Sequence, residues 1–152
     1  MTKPEVSSLD LHLGYWLRMV SNHVSHSFRR KLEHSGVTVA EWVLLRKLLE
    51  LGPAAPSQVA EALGMTRGAI SKLDDRLLAK ALVEVRSSPS DGRQQIVSLS
   101  TRGRALVPRL AALADDNDAH FFGALSKTEQ ASLRALLMKL VRSHELQGTP
   151  ID

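Results

Sequence analysis

Apolar residues recur every three or four positions along most of this chain, the spacing that places side chains on one face of an α-helix. Glycine and proline clusters separate the periodic stretches. The pattern predicts six helices, over residues 9–32, 38–51, 57–63 and 66–80, and onward from residues 101 and 126. In the second helix the residues predicted to face the core are Val39, Trp42, Val43, Leu45, Leu48 and Leu49.

Polar residues stand at the predicted helix starts, where their side chains can accept hydrogen bonds from the free backbone N–H groups of the first turn. In two of these starts a glutamate follows three residues later, Glu41 or Glu129, which is the spacing of a capping box. The predicted caps are Thr38, Thr66, Thr101 and Ser126.

The apolar period shortens to two after the fourth helix. The segments LVEVRSS and QQIVSLS alternate apolar and polar side chains, and the PSDG between them is typical of a tight turn. This pattern predicts a β-hairpin with little to bury on at least one side. The expected fold class is therefore mainly α with a small β-hairpin (α+β).

Composition places the chain among soluble globular domains. Its 152 residues are 43% hydrophobic and 24% charged, enough for one core. The absence of cysteine excludes disulfides, a thiolate nucleophile, a thiol redox sensor and a cysteine-based zinc site. The N-terminal stretch does not resemble a signal peptide, and no run reaches the ~18 apolar residues of a transmembrane helix. We expect a cytoplasmic protein that needs no cofactor.

Positive charge is concentrated in one block of the chain. The net charge is +4, and residues 64–109 alone hold nine bases against four acids. The rest of the chain is therefore close to neutral. A solvated basic face would have this composition, but so would a surface that neutralises phosphates, because release of counterions from nucleic acid favours such binding.

The segment SQVAEALGMTRGAISKLDDRLL has the form of a helix-turn-helix, with a short helix, a glycine-containing turn and a longer helix. On the longer helix Ile70, Leu73 and Leu77 lie within about 60° of one another and are predicted to face the core. The remaining face is small, polar and basic near its N-terminal end, which suits a major groove. A helical hairpin without a DNA-binding role can show the same pattern.

The β-hairpin directly after this motif turns it into a predicted winged helix. Arg93 at the hairpin tip is suited to a narrow A·T-rich minor groove, where the negative potential is strongest. Asp91, two residues earlier, is positioned to pair with Arg93 and aim it. The alternative is a bare solvated turn.

Three stretches, PSQVAEALGMTRGAISKLDDRLLAKALVE, the wing tip DGR and VSLSTRGRAL, resemble the MarR family of bacterial transcriptional regulators, and the resemblance covers essentially the whole chain. It implies a homodimer with two winged-helix lobes that binds a palindromic operator. The residues implied to face major-groove bases are Thr66, Arg67, Gly68, Ser71 and Lys72. Those expected to contact the DNA backbone are Ser57, Arg76 and Arg86, and those expected at the minor groove are Asp91 and Arg93. One departure is Ala81, where the family usually has glycine.

The expected organisation is a single MarR-like domain over residues 1–152. Residues 37–100 form the predicted winged helix-turn-helix lobe, and residues 9–35 and 102–146 the predicted dimerisation helices. Large apolar side chains near the two ends exceed what the small lobe can cover, which favours packing against a second copy, although burial within one chain is also possible. They are Leu9, Leu11, Leu13, Phe121 and Phe122.

Regulators that resemble this chain often bind small anionic aromatic compounds between the dimer helices and the DNA-binding lobe. Stacking and charge partners for such a ligand are His12, Tyr15, Trp16, Arg18 and Trp42. The alternative is that both tryptophans belong to the core. His23 and His26 have a spacing compatible with metal ligation, but further ligands such as His120 or His144 would be needed, so solvated histidines are the default and no metal site is assigned.

The sequence lacks a Gly-rich phosphate loop, HExxH and GxSxG, so we do not expect an enzyme. The predicted function is a dimeric, sequence-specific regulator of transcription, most simply a repressor, with a small-molecule effector as a candidate partner. A non-specific architectural DNA-binding protein and a metal-responsive regulator remain the alternatives. A winged helix used for protein contacts would have an apolar outer face, whereas the outer face predicted here is polar and basic.

Overall fold

The computed structural model describes residue 2 and residues 5–152. It contains six helices and one two-stranded hairpin, which confirms the predicted mainly α fold with a small β element. None of the helices formed by the described residues combines the length and the apolar character that crossing a membrane requires. After a short 3-10 helix at Leu9–Leu11, the elements are α1 (Leu13–Glu33), α2 (Val39–Leu51), α3 (Pro56–Leu63), α4 (Arg67–Ala79), β1 (Val83–Ser87), β2 (Gln95–Leu99), α5 (Thr101–Phe122) and α6 (Lys127–Ser143).

The hairpin is joined by a third extended segment that the sequence pattern did not predict. Strands β1 and β2 are antiparallel, with Val83 opposite Leu99 and every residue between paired in register. Ala54, in the connection between α2 and α3, exchanges two backbone hydrogen bonds with Val97 of β2, with N···O distances of 2.9 and 3.0 Å. The base of the wing is therefore attached to the helical part of the lobe.

The core lies where α2, α3, α4, the hairpin and the first half of α5 meet. Ile70, Leu73 and Leu77 of α4 are buried there, as their spacing predicted. For α2 the prediction was partly wrong: Leu49 is 43% exposed, and Leu44, which was not predicted, is fully buried. A single helical period cannot distinguish these two neighbours, because the width of the buried face depends on how many elements pack on the helix.

Three of the four predicted caps are confirmed. Thr38, Thr66 and Ser126 each accept a hydrogen bond from a backbone N–H in the first turn of their helix. The prediction for α5 was wrong by one residue: its cap is Ser100, whose hydroxyl oxygen accepts from the N–H of Gly103 at 3.0 Å. The same hydroxyl donates to the carbonyl of Ala81 at 2.7 Å, so tertiary contact selects serine over the neighbouring Thr101.

The capping box predicted at α2 is only half formed. Ser126 and Glu129 make both reciprocal bonds at α6. At α2 the carboxylate of Glu41 instead accepts a hydrogen bond from Lys80 at 2.6 Å, and only 1% of this glutamate is exposed. A buried carboxylate needs a cationic partner, and that partner arrives from the far end of α4.

Helix α4 ends in a left-handed residue that is not glycine. Ala81 has φ +58°, and the next residue, Leu82, donates to the carbonyl of Leu77 at 2.9 Å, which closes the helix terminus. The departure noted at Ala81 therefore does not remove the left-handed turn. The alanine adopts the left-handed backbone conformation instead, with some steric strain at its Cβ.

The chain ends carry apolar faces that their own chain leaves uncovered. Helix α6 packs only weakly on the rest of the described chain, and its start is held by Gln130, whose amide donates to the carbonyls of Phe122 and Leu125. Phe121 and Phe122 are half-buried. Large apolar residues at least 38% exposed on the 3-10 helix, α1 and α6 are Leu9, Leu11, Leu13, Trp16, Leu17, Met19, Val20, Leu136, Leu137, Met138, Leu140 and Val141.

The last residues return to the turn between α3 and α4, which the sequence did not predict. The N–H of Thr149 donates to the carbonyl of Leu63, the last residue of α3, at 3.1 Å. A Cβ added at Gly64 would lie 3.0 Å from the Cα of Gly148, so the absence of a side chain at Gly64 permits a close backbone approach. The segment after α6 therefore touches the turn between α3 and α4.

Candidate nucleic-acid interface

The helix-turn-helix is formed by α3, a three-residue turn and α4. Gly64 ends α3 with φ +64°, and Met65 donates to the carbonyl of Ala60 at 2.9 Å, which redirects the chain. Thr66 then begins α4, with its hydroxyl accepting from the N–H of Ala69 at 3.1 Å. The structure places all five predicted base-facing residues on one solvent-exposed surface at the start of α4, opposite its buried stripe: Thr66, Arg67, Gly68, Ser71 and Lys72.

Gly68 has no structural explanation within its own chain. A Cβ built at this position meets no atom within 4 Å, and its backbone is ordinary helix. Glycine costs about 1 kcal/mol relative to alanine inside a helix. Neither packing nor backbone conformation within the described chain requires it, so the bare backbone is available to a partner at this surface.

The three residues predicted to contact the DNA backbone lie on different elements of the lobe. Ser57 is half-buried in the first turn of α3, which begins at Pro56. Arg76 is exposed on α4, and Arg86 is exposed on β1. They lie on three different elements, α3, α4 and β1, so no single element brings them together.

The wing tip is shaped by Asp91, but not in the predicted manner. Its Oδ1 accepts a hydrogen bond from the backbone N–H of Arg93 at 3.0 Å, and its own carbonyl accepts from the N–H of Gln94 at 3.0 Å. The predicted ion pair with the Arg93 guanidinium is absent from the described chain, where the ion pairs are Lys47–Glu50 and Lys80–Glu41. Asp91 therefore fixes the turn, and the guanidinium of Arg93 is left free. In turns, an aspartate side chain commonly accepts a hydrogen bond from the backbone N–H of the residue two positions later.

The electrostatics of α4 differ between its two sides. Of the bases in residues 64–109, Lys80 is paired within the described chain, and the others form no ion pair there. On the buried side lies Asp74, only 7% exposed, which the sequence pattern did not single out. Burial, with a smaller contribution from the charge of Asp75, raises the pKa of Asp74 to about 6.

The residues proposed for an effector are not all in one place. Trp42 lines a crevice of about 260 Å³ between α1, α2, α5 and the C-terminal segment. The predicted residues near the start of α1 are exposed and do not line this crevice, and there the indole N–H of Trp16 donates to the carbonyl of Asp10 at 2.8 Å. Those residues are His12, Tyr15, Trp16 and Arg18.

The crevice has a polar side that the sequence did not reveal. Asn117 of α5 is 4% exposed and accepts from the Ser27 hydroxyl at 2.8 Å, while its amide donates to the carbonyl of Val24 at 3.3 Å. It therefore ties α5 to α1 at the crevice wall. Pro150 and Asp152 of the C-terminal segment also line the crevice.

The histidines do not assemble a metal site in the part of the chain that the structure describes. No three side chains of the ligating types come together there. The ring of His23 lies against Phe121, with centroids 5.4 Å apart.

Comparison with known proteins identifies this arrangement. The family model described as MarR family matches residues 35–94, which span α2, the helix-turn-helix and the wing tip. The curated HTH-type transcriptional repressor NicR of Pseudomonas putida is 26% identical over 136 residues, which is 90% of this chain and 86% of NicR. Over residues 35–94 the chain therefore resembles the MarR family.

Two solved structures extend the match to the fold. A mutant of MarR from Escherichia coli complexed with operator DNA has a TM-score of 0.75 and 27% identity, covering 85% of this chain and 93% of that one. BpsR of Bordetella bronchiseptica, solved to explain regulation of its DNA binding by 6-hydroxynicotinic acid, has a TM-score of 0.76 and 26% identity, covering 90% and 97%. The chain is a winged-helix DNA-binding regulator of transcription, and the proteins it resembles are regulators of transcription rather than enzymes.

Proposed function

We propose that this chain is a repressor of the MarR family, which binds a palindromic operator as a homodimer and leaves it when a small anionic aromatic compound binds. The observation that carries the proposal is the pairing of two exposed features in one lobe. The start of α4 presents small, polar and basic side chains, and the wing holds an unpaired arginine beyond it. A recognition helix and a wing used together read neighbouring major and minor grooves.

For the DNA contacts, the exposed start of α4 enters the major groove. Lys72 reads a base edge, Gly68 lets the backbone approach, and Arg93 enters the minor groove on the flank. Arg67 and Ser71 complete the groove-facing surface beside Thr66. The phosphate contacts are assigned to Ser57, Arg76 and Arg86.

For the dimer, the uncovered apolar faces supply the argument. Leu13 is 87% exposed and Leu136 is 61% exposed, and such side chains form continuous faces on α1 and α6. Contiguous exposed apolar surface marks an interface, because each buried side chain of this size contributes about 1.5–3 kcal/mol. A second copy supplies complementary faces by two-fold symmetry. We assign residues 9–35 and 102–146 to dimerisation and residues 37–100 to DNA binding.

For the effector, the crevice beside Trp42 is the better-formed of the two predicted regions. It combines an indole and the ring of Phe28 with the buried amide of Asn117, which suits a flat ring. The described residues that line it include Asp118 and Asp152 and no base, so we assign the cationic partner of the ligand's carboxylate to Arg18, from outside the crevice. The DNA binding of the relative BpsR is regulated by 6-hydroxynicotinic acid, a compound of this class. In the dimer, Trp16 with His12, Tyr15 and Arg18 provides a second wall or a separate site.

The test of operator binding is selection of random duplexes by the purified protein at near-physiological salt. A palindrome with half-sites about one helical turn apart is expected. Lys72→Ala should relax the preference at one position of each half-site, while Arg29→Ala, an exposed base on α1, should not. Salt-sensitive binding without a motif would instead indicate an architectural DNA-binding protein, and the absence of binding would contradict both.

The effector is tested by tryptophan fluorescence, since the chain has two tryptophans. With 6-hydroxynicotinate as the probe, Trp16→Phe should keep the ligand-dependent change in fluorescence, and Trp42→Phe should lose it. The reverse result would place the ligand at the start of α1, and no change in wild type would contradict this ligand class. A ligand that binds should also release the selected operator.

A further inference from the structure

A second cavity, separate from the crevice beside Trp42, lies at the C-terminal end of α4. It measures about 500 Å³ and is bordered by three segments: the turn between α1 and α2, the turn after α4, and the first turns of α5. Its size falls within the range of small-molecule sites. None of the predicted DNA-contacting or effector residues lines it.

The lining of this cavity is cationic. Lys80, Arg102 and Arg109 all border it, and none of the residues that form its wall is acidic. Lys80 is already neutralised and held in place, because its ammonium donates to Glu41 at 2.6 Å and to the carbonyl of Gly36 at 2.8 Å. No carboxylate of the described chain lies within ion-pair distance of Arg102 or Arg109. Two charges therefore remain uncompensated.

The two arginines are arranged to act together. They stand seven positions apart on α5, so they point in nearly the same direction with about 10 Å between them along the axis. Ala105 and Leu106 lie between them and border the same cavity. The result is an apolar strip with a guanidinium at each end, and guanidinium groups bind carboxylates through paired hydrogen bonds.

We propose that this cavity binds a small organic dianion, with its apolar body over Ala105 and Leu106 and one carboxylate on each of Arg102 and Arg109. The DNA phosphates are a poorer match for these arginines. The cavity adjoins the C-terminal end of α4, and about 18 Å of helix separates that end from Arg67 at the DNA-reading end. The inference concerns a site beyond the proposed operator and effector function and does not depend on it.

The experiment is isothermal titration of the full chain, without DNA, using terephthalate as the probe. Its two carboxylates stand at opposite ends of one ring, whereas benzoate has one and dimethyl terephthalate has none. Terephthalate should bind once per chain, benzoate more weakly, and the diester not at all. Arg102→Gln and Arg109→Gln should each weaken terephthalate about tenfold or more.

Arg104→Gln is the matched control, because Arg104 is exposed on the same turn of α5 but borders a different hollow, beside Leu48 and Ser98. All three positions are exposed, so circular dichroism should show intact folding. No binding by wild type, an equal loss in Arg104→Gln, or full binding in Arg102→Gln would each overturn the site. So would a lower salt dependence of duplex binding in Arg102→Gln without any effect on terephthalate, since the arginine would then be a phosphate contact.

Discussion

The buried carboxyl group of Asp74 makes the stability of the winged-helix lobe depend on pH in an unusual direction. Burial and the charge of Asp75 raise the pKa of Asp74 from its ordinary value of 3.8 to about 6. One pKa unit corresponds to about 1.4 kcal/mol, so ionised Asp74 costs the folded state about 3 kcal/mol above pH 6. We predict that Asp74→Asn, which keeps the shape and removes the charge, stabilises the protein by about 2–3 kcal/mol at pH 8.

The sign follows from which state binds the proton. Below pH 3.8 the carboxyl group is protonated in both states, and wild type and Asp74→Asn should be nearly equal in stability. Between pH 3.8 and about 6 the folded state keeps the proton while the unfolded state releases it, so the wild type loses stability as the pH rises. Above that window the loss is complete and constant.

Urea denaturation of wild type and variant at half-unit steps from pH 3.5 to 8 measures this difference. Asp75→Asn is the matched control: it removes an exposed neighbouring charge, so it should give a smaller gain and move the window toward lower pH. A difference between Asp74→Asn and wild type that stays constant across the series would refute the reasoning, because an effect of packing or hydrogen bonding alone does not follow the titration.

Three further predictions concern the wing, the buried ion pair and the left-handed alanine. Arg93→Ala should weaken operator binding by about 1–3 kcal/mol, mostly on A·T-rich flanks, and unchanged affinity in a mobility-shift titration would remove the wing from the interface. Lys80→Met should destabilise the fold by about 3 kcal/mol by leaving the carboxylate of Glu41 buried without its cation, and adding Glu41→Gln should restore most of the loss in the same urea assay. Ala81→Gly should stabilise the protein by about 1 kcal/mol, because glycine adopts φ +58° without strain, and a lower melting temperature would show that the alanine methyl group packs favourably.

The buried polar groups give the lobe a fixed attachment to the helices on which the proposed dimer is built. Lys80 joins the end of α4 to Glu41 at the start of α2 and to the turn that follows α1. Asn117 joins α5 to α1. Because α4 reads DNA in the proposed function, a change at either attachment would alter where the recognition helix stands relative to its copy in the dimer.

The sequence by itself determined the elements whose signals are local. Helical spacing, the caps at Thr66 and Ser126, and the turn residues before Arg93 predict the helix-turn-helix and the wing, and the structure confirms these elements. Such features are decided by side chains within four residues of each other, so they can be predicted from the sequence alone. The exposed, basic start of α4 is likewise a consequence of periodicity, since the buried stripe leaves its opposite face in solvent.

Tertiary structure alone decided which distant groups meet. Glu41 had the spacing of a capping box, yet its carboxylate bonds Lys80, because burial made a cation 39 residues away the stronger partner. Ser100 caps α5 in place of Thr101 because its hydroxyl also reaches Ala81. The bridge from Ala54 to Val97 and the return of Thr149 to Leu63 leave no local trace either. The sequence shows which face of a helix is apolar and which side chains are polar. Which partner each of them contacts depends on the packing of the whole chain.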